Sequence, residues 1–149
     1  MVVRTCQFKN FKIKMYGGKH ASTDVSRSSI SLSTIIHSLA KCDILDIGCG
    51  SGYMSLGALV MGARSVTATD IADTEKVIRK NIALNNLPQK RLTFVKGNLL
   101  DAVPKKKCFD VIIANLPQHA LPATRSAQKL EGKYGGFDGS DLVCRGITE

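Results

Sequence analysis

The sequence holds no Cys-x-x-Cys pair and no histidine at metal-ligand spacing. Its five cysteines, Cys6, Cys42, Cys49, Cys108 and Cys144, are odd in number and scattered. That pattern gives neither a metal cluster nor a disulfide framework, and reads as reduced, mostly packed thiols of a cytosolic protein. No run approaches ~18 apolar residues, and no secretory apolar segment heads the chain, so neither a membrane span nor an export signal is expected. Acidic residues are in deficit, 12 against 21 Lys and Arg, for a formal charge of +9. Such an excess suits a polyanionic partner, RNA or the ribosome; a basic solvated surface accounts for it equally well. A hydrophobic share of 44% and a charged share of 22% over 149 residues are ordinary for one soluble globular domain with a real core.

What is present is organised around Asp46-Ile47-Gly48-Cys49-Gly50-Ser51-Gly52. It follows the apolar run Ile44-Leu45 and precedes a helical pattern from Tyr53 to Met61, so it reads as strand, glycine turn, helix. Glycine permits positive φ and close approach of backbone to a ligand. The first N–H groups of the following helix then point at whatever sits there. Twenty residues after Gly50 comes Asp70, closing a second apolar run from Ser65 to Thr69. A carboxylate at that place can accept hydrogen bonds from a ribose diol. A dinucleotide fingerprint would need glycine at position 53, where Tyr53 stands, so an NAD-dependent oxidoreductase is disfavoured.

The remaining chain predicts alternating strands and helices. Residues 1–16 read as two strands with a turn at Lys9-Asn10, Phe11, Ile13 and Met15 on one face and Lys12, Lys14 and Tyr16 on the other. That pair and a polar loop running to residue 30 form an N-terminal segment, and residues 31–149 the main domain. A helix is expected over 31–40, strands over 43–47, 65–69, 92–95 and 109–114, and a helix over 74–85 carrying Val77, Ile78, Ile82 and Leu84. The 109–114 strand is apolar throughout, as a strand covered on both faces should be. Lys105-Lys106-Lys107 reads as a solvated turn. The fold class is α/β, a Rossmann-like, mostly parallel sheet with helices on both faces and an N-terminal β-hairpin.

The segment from Asp46 to Gly52, with Asp70, resembles the nucleoside-binding motif of class I S-adenosylmethionine-dependent methyltransferases. Asn115-Leu116-Pro117-Gln118, at the end of the fourth main strand, resembles the Asn-Pro-Pro-Tyr motif of members that methylate planar nitrogens. Gly135-Gly136-Phe137-Asp138-Gly139, with Arg145 and Ile147, and the asparagines Asn81 and Asn85 before Leu87, are similar to segments of the HemK-like glutamine methyltransferases. The resemblance covers residues 42–149. It implies S-adenosyl-L-methionine as cofactor, held by Asp46, Gly48, Cys49, Gly50, Gly52, Asp70, Ile71, Asn98, Leu99 and Asn115. It implies catalytic roles for Asn115, Pro117 and Gln118, and a substrate in the translation apparatus: a release factor, a ribosomal protein or RNA.

The chemistry behind an Asn-Pro pair is simple. An amide or aromatic amine has a delocalised lone pair. The Asn115 oxygen and a neighbouring carbonyl can each accept one N–H, leaving the nitrogen to become more tetrahedral and aim at an electrophilic methyl. The gain is positioning and preorganised dipoles. Three departures from the family stand out. Gln118 replaces the stacking aromatic, Asn98 replaces the acid that contacts adenine, and four strands are legible where the family has seven. The rest of the sheet is then missing from a truncated fold, supplied by a partner or second copy, or part of a longer protein. A cofactor-binding or scaffold module without turnover is the alternative function.

Overall fold

The computed structural model describes residues 2–18, 21–103, 105–117, 140 and 144. Contacts divide the chain into two units, Met1–Ala114 and Asn115–Glu149. The hairpin belongs to the first unit.

Strands β1 (Val3–Phe8) and β2 (Phe11–Tyr16) pair antiparallel, Val3 opposite Tyr16 and Phe8 opposite Phe11. The two-residue turn works because Lys9 takes φ 49. The period of two holds: Ile13 and Met15 are fully buried, while Phe11, beside the turn, is exposed. Helix α1 (Arg27–Ile35) begins and ends earlier than the expected 31–40. Ser26 decides the start, its Oγ accepting the Ser29 N–H at 3.1 Å, the ordinary work of a serine N-cap. At the other end Ile36 is extended and gives its carbonyl to Lys9 Nζ, and the following segment carries Leu39 into the core.

The main sheet has the order β5-β4-β3-β6, all parallel. Its strands are β3 (Asp43–Ile47), β4 (Ser65–Asp70), β5 (Leu92–Lys96) and β6 (Val111–Ala114). Helix α2 (Tyr53–Val60) joins β3 to β4, and α3 (Glu75–Leu84) lies between β4 and β5. From β3 the order steps outward through β4 to β5, whereas β6 lies on the other flank of β3. The reversal between β3 and β6 is where open α/β sheets place a ligand crevice, at the strands' carboxyl ends.

Strand β6 corrects two expectations. It starts at Val111 rather than Phe109, because Asp110 is engaged with Asp43: its N–H donates to the Asp43 carbonyl at 2.8 Å, and its carboxylate accepts the Asp43 N–H at 2.7 Å. Nor is it covered on both faces, since Ile113 is buried but Ile112 is 58% exposed. It lies at one end of the sheet order.

Helix α2 is buried from Tyr53 to Leu59. The Phe8 ring of the hairpin packs over Gly57, where a Cβ would meet it at 2.0 Å, and lies 5.2 Å from the Tyr53 ring. Helix α3 buries Ile78, Asn81 and Ile82. Phe8, Ile13 and Met15 therefore share one core with the sheet residues Ile44, Val66 and Ile113. At the amino end of the sheet, Arg64 bonds Asp43 through Nε at 3.0 Å and Nη2 at 2.6 Å, and reaches Asp110 at 3.3 Å.

In the second unit Leu116 is buried between half-buried Asn115 and Pro117. The Cys144 N–H bonds the Ser140 carbonyl at 2.8 Å. No cysteines are disulfide-bonded; Cys49 is buried, whereas Cys108 and Cys144 are exposed, so the thiols are less packed than expected.

Candidate functional site

The glycine loop leaves β3 at the carboxyl edge of the sheet. Gly48, Gly50 and Gly52 have φ of 69°, 53° and 87°, so each needs the conformational freedom of glycine. Gly52 is also packed, a Cβ there meeting Ile78 and Leu56 at 3.1 Å. Gly50 differs: a Cβ would meet nothing within 4 Å, so the loop turns toward open space there.

The loop is pinned by its neighbours. The Cys49 N–H donates to the Thr69 carbonyl at 3.0 Å, and the Gly52 N–H to the Cys49 carbonyl at 2.8 Å. The Gly50 N–H donates to Asp70 Oδ2 at 2.8 Å, while Asp70 Oδ1 accepts the Ala72 N–H at 2.9 Å. Both oxygens of Asp70 thus carry one bond each and keep a lone pair for a further donor. Among the described residues the Ser51 N–H has no acceptor, which leaves it for a ligand at the α2 N-terminus.

Asp46, one residue before the end of β3, is buried and accepts Ser55 Oγ at 2.5 Å. Burial pushes its carboxyl up to about 7, against the pull of the Ser55 hydrogen bonds and with a further push from Asp70. Burial, reinforced by Asp46 and Asp70, also pushes the Cys49 thiol up, so Cys49 is a packed thiol rather than a nucleophile. Beyond Asp70, Ile71 is 70% exposed, an apolar side chain presented at the strand end. The Gly97 N–H donates to the Asp70 carbonyl at 2.9 Å, bringing the end of β5 alongside. There Asn98 is half-buried and Leu99 is buried with φ 46, a left-handed conformation that a leucine adopts at a cost of ~1–3 kcal/mol.

The first unit therefore brings Asp46, Gly48, Cys49, Gly50, Gly52, Asp70, Ile71, Asn98 and Leu99 to the carboxyl ends of β3, β4 and β5. Asn115 and Pro117 fall in the second unit, Asn115 being the residue that follows β6 in the chain. Gln118, the 135–139 segment, Arg145 and Ile147 lie outside the described residues. A surface hollow of about 490 Å³ lies elsewhere, between β1 and the segment before α1; it is bordered by neither the glycine loop nor Asp70.

A family model described as ribosomal protein L11 methyltransferase (PrmA) matches residues 16–130. The chain belongs to that family. A ribosomal protein L11 methyltransferase of Agathobacter rectalis is 35% identical over 105 residues, covering 66% of this chain and 32% of the relative. One of Fusobacterium nucleatum is 36% identical over 107 residues, covering 71% of this chain and 33% of the relative. The chain thus spans about a third of the length of these relatives. A Thermus thermophilus 16S rRNA N2 G1207 methyltransferase (RsmC), solved with AdoMet and guanosine, superimposes with a TM-score of 0.66 at 18% identity, over 79% of this chain and 33% of its own. That likeness shows the fold, an α/β Rossmann-like sheet. The family matched is the L11 methyltransferase one; the finer HemK-like placement is not what the match carries.

Within this L11 methyltransferase-family domain, three residues matter structurally whose parts sequence reasoning missed. Ser55 holds Asp46, and its signal was one hydroxyl inside an otherwise apolar helix. Asn81 and Asn85 hold β2. Their signal was an asparagine at position 81, between Ile78 and Ile82 on the buried stripe, repeated one turn later. Along β2 the Tyr16 N–H donates to Asn81 Oδ1 at 2.6 Å and the Lys14 N–H to Asn85 Oδ1 at 2.7 Å.

Proposed function

We propose that this chain supplies the S-adenosyl-L-methionine-binding part of a methyltransferase acting on a ribosomal protein. The observation that supports it best is the Asp70 carboxylate, tied to the Gly50 N–H at the mouth of the glycine loop with lone pairs to spare. Those lone pairs suit a ribose diol. Ile71 and Leu99 offer apolar surface to an adenine ring, and Asn98 both accepts and donates toward its edge. The Ser51 N–H and the α2 N-terminus suit a carboxylate, and the Asp70 carboxylate suits a cationic group. The fit is supported by the open space at Gly50 and by the donor set, which matches each polar feature of the sulfonium nucleoside. When bound, the cofactor would supply an electrophilic methyl group.

On the substrate side, Asn115 and the Leu116 or Pro117 carbonyl would accept the N–H groups of the acceptor nitrogen, and Gln118 would border it. That assignment rests on the sequence motif alone. Relatives that are ribosomal protein L11 methyltransferases favour ribosomal protein L11 as the acceptor protein; a glutamine amide or a base amine is the finer reading drawn from Asn115-Leu116-Pro117-Gln118.

Calorimetry with S-adenosylhomocysteine and with NAD tests the binding half: NAD binding as tightly would sink it. Incubation with radiolabelled S-adenosylmethionine and either ribosomal protein L11, a release factor or ribosomal RNA tests the acceptor. Label in the release factor or RNA but not in L11 would replace the ribosomal protein. Binding without transfer to any of them would leave the cofactor-binding module.

A further inference from the structure

We propose that Asn81 is a positioning residue for the glycine loop, and that through it the N-terminal hairpin and the loop are held as one unit; this rests on the cofactor reading above. Asn81 is fully buried on α3. Its carboxamide has one acceptor oxygen and two donor hydrogens, and all are committed. Oδ1 accepts the Tyr16 N–H at 2.6 Å, while Nδ2 donates to the Tyr16 carbonyl at 3.0 Å and to the Ser51 carbonyl at 2.9 Å. The last bond is the informative one. The Ser51–Gly52 peptide is held at its other end by the Gly52 N–H bond to the Cys49 carbonyl. With Gly50 tied to Asp70 as well, the turn from Gly50 to Gly52 is fixed at both ends, and so is the direction of the Ser51 N–H.

Asn85 supplies an internal control. One turn along α3, it grips β2 in the same way, accepting the Lys14 N–H and donating to the Lys14 carbonyl, both at 2.7 Å. Its remaining hydrogen goes to the Asn81 carbonyl of its own helix, not to the loop. Together the two carboxamides stand in for a neighbouring strand along the outer edge of β2, satisfying backbone groups that would otherwise be unpaired. Only Asn81 joins that edge to the cofactor loop. Binding energy that fixes the loop is therefore shared with the hairpin, and the coupling is reciprocal.

The test compares wild type, Asn81→Ala and Asn85→Ala for S-adenosylhomocysteine affinity by calorimetry and for thermal unfolding. It adds amide exchange at Tyr16 and Lys14 in wild type, with and without S-adenosylhomocysteine. Asn81→Ala is expected to weaken binding at least tenfold, and Asn85→Ala less than twofold at a comparable loss of Tm. Bound S-adenosylhomocysteine is expected to slow exchange at Tyr16 more than at Lys14. Wild-type affinity in Asn81→Ala, or equal losses in the two variants, overturns the proposal. Should Asn81→Ala fail to fold, the exchange measurement decides, and unchanged exchange at Tyr16 overturns it. A wild type that binds no S-adenosylhomocysteine overturns the cofactor reading and this inference with it, and the first titration shows that before any variant is compared.

Discussion

Replacing Asp70 separates the two tasks its carboxylate performs. In the structure it accepts the Gly50 and Ala72 N–H groups at 2.8 and 2.9 Å. Hydrogen bonds to a charged acceptor are worth ~1.5–3 kcal/mol each. Asp70 is half-buried, so in Asp70→Ala water replaces part of what the two amides lose, and the protein should still fold with a lowered Tm. Binding has a second loss. Two ribose hydroxyls that would use the remaining lone pairs become unpaired, costing at least ~2 kcal/mol, or roughly 30-fold in Kd. Asp70→Asn should do little better. Its amide keeps one acceptor oxygen, but the NH2 must face either the Gly50 or the Ala72 N–H, donor against donor. Calorimetry with S-adenosylhomocysteine and with its 2′,3′-dideoxy analogue completes a cycle between side chain and ligand. If the diol is the partner, Asp70→Ala weakens the parent nucleoside far more than the dideoxy one. Equal weakening of both would show that Asp70 serves only as the tether of Gly50. An unchanged Kd for the parent would refute the placement of the ribose altogether.

Four further outcomes are expected. Gly57→Ala should destabilise the protein by about 1–3 kcal/mol, because its Cβ would lie 2.0 Å from the Phe8 ring; this outweighs the ~1 kcal/mol that alanine gains in a helix. Chemical denaturation checks it, and Phe8→Leu in the same chain should recover part of the loss. Two carboxyls set opposite pH trends. The Asp46 carboxyl, raised to about 7 by burial, keeps its proton when folded but loses it at ~3.9 when unfolded. Its contribution to stability is therefore full below pH ~4 and is lost as pH rises through about 7, and Asp46→Asn should flatten that limb. The Asp43 carboxyl, held down to about 2 by hydrogen bonds from Arg64 and Ser65, contributes stability above pH ~3.9 that is lost as pH falls through about 2. Arg64→Ala should move the acid unfolding midpoint to higher pH; an unmoved midpoint would show that the pair is idle. Asn115→Ala should cut the rate of methyl transfer at least a hundredfold, the scale of a lost preorganised contact, and weaken S-adenosylhomocysteine binding far less. Full turnover would remove Asn115 from the reaction.

The parts of the fold legible in the sequence are those governed by short-range rules. Strand β3 falls on the expected residues because a buried parallel strand is a compact apolar run with a glycine stop. Hairpin and turn are equally local, read from a period of two and from Lys9-Asn10. Where competition between neighbours decides, the pattern misleads. Helix α1 starts at a serine cap within a serine-rich stretch that offers several, and it is Ser26 whose Oγ meets the Ser29 N–H. The start of β6 is set by Asp110 pairing with Asp43, 67 residues away, which no window around Asp110 could register. The site divides the same way. Asp46, the glycines and Asp70 can be found because their spacing along the chain reflects one strand–loop–helix–strand unit. The bonds that make them a site are long-range: Gly50 to Asp70, and Ser51 to Asn81 across 30 residues. An asparagine on a buried helical stripe is visible in the sequence, and its cost when unpaired makes a partner obligatory. The sequence pattern thus demanded a partner for Asn81, and only the docking of α3 against both β2 and the glycine loop determines that the partner is backbone. That is also why the hairpin, separable on paper at residue 30, is joined to the cofactor loop by the same side chain that completes its edge.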